Sequence, residues 1–220
     1  MSGTRQSFDK ALEDLQQEIL RMGSLVEQAV YLAVDSLAQK DSDIARKVLA
    51  GDEIIDQMEL EIEDVCMKLI ATQQPMAKDL RRIGAAFKII TDLERMGDHA
   101  EDIAKITLRL EGQPLIKPLV DIPRMARLTQ EMVKESLDAY VRSDVKLAKS
   151  LMAKDDEIDH IYKEIFDELF EFMAKDPSTI QQATYLLFVG RYIERIADHA
   201  TNIGERVIYL VTGEWKELNL

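Results

Sequence analysis

With 46% hydrophobic residues, a chain of 220 residues can bury a core as one large domain or two small ones. The 41 acidic residues against 28 basic ones leave a net charge of −13, which repels nucleic acid and anionic membrane surfaces and suits cations. Cys66 is alone, the N-terminus lacks a basic and then apolar leader pattern, and no window reaches the ~18 apolar residues of a membrane span; a cytoplasmic protein is expected, with no disulfide framework, no membrane insertion and no nucleic-acid partner.

Apolar residues recur at spacings of three and four, as in Leu12, Leu15, Ile19, Met22, Val26, Ala29, Val30 and Ala33. No sustained period-two run occurs, so strands are not expected. The first helix is predicted over 8–39. Asp41 opens the second, 42–71, as an N-cap whose oxygen can accept orphan backbone N–H groups. This helix carries Asp52 and Asp56 at i, i+4. Gln74 and Pro75 break the chain before a third helix over 77–111, which carries Glu94, Asp98 and Asp102. The stretch from Gly112 to Pro118, with two prolines, separates it from a fourth helix over 122–142. Asp144 opens a fifth over 145–174, bearing Asp155 and Asp159. Asp176 and Pro177 end it, and a sixth over 178–212 bears Glu194, Asp198 and Asn202.

The six helices fall into two sets. Shifted by 103, residues 35–62 meet 138–165 with nine identities in 28 positions, among them Asp41 on Asp144, Asp52 on Asp155 and Asp56 on Asp159. At a shift of 100, LERMGDHAEDI (93–103) meets IERIADHATNI (193–203) with six identities in eleven. The fold class that follows is all-α, two tandem homologous three-helix bundles, with the first repeat at 1–111, a linker at 112–121 and the second repeat at 122–220.

Glu94, Asp98 and Asp102 stand at i, i+4 and i+8, so their side chains share one face of a helix, as do Glu194, Asp198 and Asn202. Like charges at this spacing cost an isolated helix about 0.2–0.5 kcal/mol per pair. A solvated face is the ordinary reading of one such stripe, but its recurrence in both repeats favours cation binding by hard carboxylate oxygens. Asp52 and Asp56, with Asp155 and Asp159, are possible additional ligands, explained about as well by solvent or by pairing with Arg and Lys. His99 and His199 point about 100° away from the stripe and are expected to be part-buried, hydrogen-bonded to a neighbouring helix. Glu157 and His160 form one ExxH pair, half of what a ferritin-like di-iron bundle requires. Gly84, Gly97, Ala100 and Ala104, with Gly190, Ala197, Ala200 and Gly204, form small-residue faces suited to close packing. No phosphate-binding loop, nucleophile elbow, HExxH or Cys-His arrangement is present, so no enzyme is expected.

The duplicated ERMGDHAEDI and ERIADHATNI, together with DEIID at 52–56 and DDEID at 155–159, resemble the PhoU family over about residues 8–212. The resemblance implies two three-helix bundles side by side, with multinuclear metal ions, iron or zinc, at the two stripes. Carried over, the ligands are Glu94, Asp98 and Asp102, then Glu194, Asp198 and Asn202; an amide at Asn202 implies fewer or weaker ions in the second site. It also implies a cytoplasmic homodimer that associates peripherally with a membrane transporter. Its partners would be the ATPase subunit of a phosphate ABC transporter and a sensor histidine kinase, with phosphate-starvation genes held down when phosphate is plentiful. A ferritin-like carboxylate-bridged metal protein and a metal-free helical scaffold are the competing readings.

Overall fold

A computed structural model describes residues 2–214 and Leu218, so residue 1 and residues 215–217 and 219–220 of the expected repeats lie outside the described residues. The chain forms α1 (Ser2–Gln39), α2 (Ser42–Gln73), α3 (Lys78–Arg109), α4 (Asp121–Arg142), α5 (Val145–Lys175) and α6 (Ile180–Thr212), with a 3₁₀ turn at Pro177–Thr179. No strand occurs among the described residues. The helix α1 starts earlier than its apolar periodicity indicates. Its polar first turns are held by Arg5, which meets Asp9 at 3.0 Å and Asp79 of α3 at 2.9 Å. Asp176 delays α6, because its Oδ1 accepts from Ser178 N at 2.9 Å and winds the start as a 3₁₀ turn.

The expected N-caps are in place and repeat in detail. Asp41 Oδ1 accepts from Asp43 N and Ile44 N at 2.9 and 3.0 Å, and Asp144 Oδ1 from Lys146 N and Leu147 N at 2.9 and 3.1 Å. The residues just before them, Lys40 and Ser143, both take positive φ, 56° and 53°. In each corner the next N–H then reaches back to close the preceding helix, Asp41 N to Ser36 O at 2.8 Å and Asp144 N to Ala139 O at 2.9 Å.

The burial pattern along each helix dictates its place. In α2 the buried residues, Ala45, Val48, Ile55, Met58, Ile62, Cys66 and Leu69, form one stripe, so one face meets protein and the rest meets water. In α3 and α6 burial runs around most of the circumference. Accordingly α1, α3, α6 and α4 form a closed ring, each packed on the next, while α2 lies outside on α1 and α3, and α5 outside on α4 and α6. A single hydrophobic core runs through both halves. At its centre α3 and α6 cross antiparallel about an approximate two-fold axis, where Asp92 meets His199 and His99 stacks on Tyr192.

Between α3 and α4 the chain runs irregularly through 110–120, pinned by Gln182 of α6. The buried Gln182 amide accepts from Ile116 N at 2.5 Å and donates to Pro114 O at 2.9 Å. Among the described residues no helix is long and apolar enough to cross a membrane.

Candidate metal centres

The first acidic cluster forms where α2 runs antiparallel to α3, and a glycine sets the approach. A Cβ at Gly97 would stand 3.2 Å from Asp52 Oδ1 and 3.2 Å from Ile55 Cδ1, so the bare backbone lets α2 settle with Asp52 and Asp56 facing Asp98. These three carboxylates can each offer an oxygen within 4.8 Å of the others. Glu94 lies one turn earlier on α3. Its Oε2 is buried and accepts no hydrogen bond, although Arg95 Nε approaches to 3.4 Å. Arg95 also donates to Asp98 Oδ2 at 2.9 Å, and Thr91 Oγ1 donates to Glu59 at 3.0 Å on the rim. Burial, then the charge of Asp98, pushes the Glu94 carboxyl up to about 7, only partly opposed by Arg95. Burial, then Asp56, Glu101 and Asp98, pushes Asp52 up to about 6, and burial, then Asp98, Glu101 and Glu53, raises Asp56. Burial thus makes anionic charge costly here, and the neighbouring acids add to that cost.

The second half repeats the arrangement between α5 and α6. Asp155 is 7% exposed and accepts from Thr201 Oγ1 at 3.4 Å. Glu194 is 9% exposed, and its Oε2 too is buried without a hydrogen bond. Burial, then Asp159 and Asp198, raises Asp155 to about 6; burial, then Asp198, raises Glu194 to about 7. Asp159 and Asp198 are raised, in each case chiefly by burial. The cations differ between the halves: Lys105, which offsets the charge on Asp52, is matched by Glu205, and an arginine enters the second cluster. Arg191 stands where α3 has Thr91, pairs with Glu194, and offsets the charge on Glu194, Asp159 and Asp198. Among the described residues only Asp52, Asp56 and Asp98 close to within 4.8 Å.

The third position of each stripe goes elsewhere. Each i+4 step on an α-helix advances about 40° beyond a full turn, so Asp102 and Asn202 have rotated from the α2 and α5 sides toward the α3–α6 seam. Asn202 Nδ2 donates to Asp92 Oδ1 at 3.1 Å. Asp102 lies 3.8 Å from Lys105 and is raised, chiefly by burial. The histidines part company as well. His199 Nδ1 meets Asp92 Oδ1 at 2.9 Å, the expected cross-helix hydrogen bond. His99 lacks one: it is 6% exposed, neither ring nitrogen has a hydrogen-bond partner, and burial followed by the charge of Arg195 lowers its pKa to about 4. The cause is divergence at one repeat position, because the residue matching Asp92 is Tyr192, whose ring stacks on His99 at 5.5 Å. Asp92 itself escaped the sequence reading. It precedes His99 by seven residues and so shares its face, a charge on an otherwise apolar stripe.

Two other expectations are corrected or narrowed. Gly84 is exposed with open space around it and serves no close packing, whereas a Cβ at Gly190 or Gly204 would come within 3.0 Å of Tyr162 or 2.9 Å of Leu151. Glu157 and His160 face outward, Glu157 toward Arg124 at 2.9 Å and His160 toward Glu164 at 3.4 Å with its side chain 72% exposed. That ExxH pair therefore faces away from the neighbouring cluster, contrary to a ferritin-like centre.

For a hard cation the donor set fits: clustered oxygens, a buried glutamate oxygen without a hydrogen bond in each half, and carboxyls displaced upward by burial and then by one another's charge. Comparison with known proteins places the arrangement. The PhoU domain family matches residues 19–107 and again 122–207. The chain belongs to the PhoU family. Each PhoU domain holds one cluster, Asp52, Asp56, Glu94 and Asp98 in the first and Asp155, Asp159, Glu194 and Asp198 in the second. A phosphate-specific transport system accessory protein PhoU homolog of Clostridium acetobutylicum is 45% identical over 217 residues, 98% of this chain and 99% of that protein. The crystal structure of PhoU from Pseudomonas aeruginosa superposes with a TM-score of 0.90 at 40% identity, covering 94% of this chain and 100% of that one. The phosphate transport system regulatory protein PhoU from Streptococcus pneumoniae gives 0.89 at 34% identity, covering 97% and 100%.

Proposed function

We propose that this chain regulates phosphate uptake and signalling as a metal-dependent adaptor. In this reading it works in the cytoplasm as a homodimer, touches the ATPase subunit of a phosphate ABC transporter and a sensor histidine kinase, and restrains phosphate-starvation genes while phosphate is plentiful. Kinship to accessory proteins of phosphate-specific transport supports the role. The observation that carries the metal dependence is the convergence of Asp52, Asp56 and Asp98 within 4.8 Å beside a buried Glu94 oxygen that accepts no hydrogen bond.

Iron or zinc at these positions would supply positive charge against that repulsion. Asp52, Asp56, Glu94 and Asp98 would hold the ions in the first half, and Asp155, Asp159, Glu194 and Asp198 in the second. Because each set is drawn half from an outer helix and half from a central one, its carboxylates tie α2 to α3 and α5 to α6 when neutralised and push them apart when bare. Arg95 and Arg191 hold part of the charge in the meantime.

Two measurements test the reading. Protein purified without chelator should contain iron or zinc by elemental analysis, and Asp98→Ala with Asp198→Ala should lose it; equal and negligible metal in all three would remove the metal. Deleting the gene should switch on a phosphate-starvation reporter in phosphate-rich medium. A reporter that stays silent would remove the regulatory role.

A further inference from the structure

Between α1 and α2, on the outer side of the first half, lies a groove of about 330 Å³. Leu15, Met58 and Ile62 form its apolar floor, and Asp14, Glu18 and Glu61 stand on its rim. Val65, 40% exposed, extends the apolar surface to the lip. Among the described residues no basic side chain lines the groove. Among the described residues no ion pair spans α1 and α2; Glu18 meets only Arg21 of its own helix, at 3.5 Å, and Glu61 accepts from Gln57 one turn away at 2.9 Å.

The duplicated half is an internal control. The shift of 103 lays Asp14 and Glu18 on Lys117 and Asp121, and Met58, Glu61 and Ile62 on Ile161, Glu164 and Ile165. There the place is taken by the chain itself. Leu115, Ile116 and Leu119 pack on the core, and Lys117, its side chain only 10% exposed, pairs with Glu168 and lies 3.8 Å from Asp121. About 10 Å³ remains open. Apolar side chains with a lysine held between acids thus close this position in one half, while the other presents the floor and the acids alone.

We infer that the α1–α2 groove docks a lysine-bearing amphipathic helix of a partner protein, its apolar stripe on Leu15, Met58 and Ile62 and its cations on Asp14, Glu18 and Glu61. Two antiparallel helices offer a third one a seat of the kind used in helix-in-groove recognition, and a rim of one sign selects the opposite sign and fixes the register. The site is separate from the acidic clusters and requires no metal.

The probe is a fluorescein-labelled peptide of about 18 residues with leucines at i, i+3, i+4 and i+7 and lysines elsewhere, a length that crosses the groove in under ~30 Å of helix. Binding to the full chain, read by anisotropy in chelator, should weaken at least tenfold in Asp14→Lys/Glu61→Lys and separately in Val65→Lys, and should fall with added salt. Hydrogen exchange should show the peptide protecting residues 11–18 and 58–65. All substituted positions are exposed, and thermal melts confirm folding. Unchanged affinity in both variants, or protection at 52–56 and 94–98 instead, overturns the inference. So does a wild-type dimer in sedimentation that the double reversal disperses, since the occupant is then a second copy of the chain.

Discussion

Replacing Glu94 by glutamine in the metal-free protein should stabilise it, and only at the alkaline end. The folded state holds this carboxyl at about 7, against an ordinary value of 4.5, because burial and Asp98 oppose its charge. A carboxyl whose pKa is raised on folding binds protons more readily in the native chain than in the unfolded one, so its favourable contribution is complete below about pH 4.5 and is lost as pH rises through about 7. Each tenfold displacement in proton affinity is worth about 1.4 kcal/mol, giving on the order of 3 kcal/mol at pH 8. The side chain is 17% exposed, and screening by water and counterions brings this to about 2 kcal/mol. For a chain of this size that is roughly 4–8 °C in melting temperature. Scanning calorimetry in chelator at pH 5 and pH 8 should show the gain at pH 8 and little at pH 5. Burial of His99, lowered to about 4, acts in the opposite sense between about pH 4 and 6.5. It is common to both proteins and cancels in their difference. A variant that melts no higher than wild type at pH 8, or gains equally at both pH values, would refute the electrostatic argument.

Arg191→Thr removes the cation that the second cluster carries and the first lacks, so Mn²⁺ or Zn²⁺ titrated calorimetrically into that half should bind about tenfold or more tightly, the order expected for losing one unit charge at close range; the reciprocal Thr91→Arg should weaken the first half, and no change in either would exclude Arg191 as the source of asymmetry. Asp144→Ala should cost about 1 kcal/mol in urea unfolding by stripping the acceptor from Lys146 N and Leu147 N, with Asp144→Ser recovering most of it.

The fold was legible because its signals are local. Unbroken spacings of three and four, two capping aspartates and three proline-bearing breaks define six helices, and the identities at shifts of 103 and 100 pair them. The outward half of the site was legible for a similar reason: Asp52, Asp56, Glu94 and Asp98 sit at i, i+4 on helices that must pack through small residues. What sequence spacing does not carry is rotation. An i+8 position has turned about 80° from the first, enough to take Asn202 from the α5 side to Asp92 on α3. Arg191 opposite Thr91 was visible in the repeat, yet its meaning depends on which residues lie across the α5–α6 gap. His99 and His199 are identical in sequence and different in chemistry, since the residue that decides between them lies on the other half.

The closed ring of α1, α3, α6 and α4 also has a history in time. Synthesis delivers α3 about a hundred residues before α6, so the face of α3 that carries Asp92 and His99 is finished long before Tyr192, His199 and Asn202 exist to cover it. A nascent chain can complete the contacts of α1, α2 and α3 while still on the ribosome, but its central seam stays wet until α6 is released. Closure of this seam is therefore paced by α6, and a truncation that spares the whole first half would still leave a buried aspartate and histidine open to water.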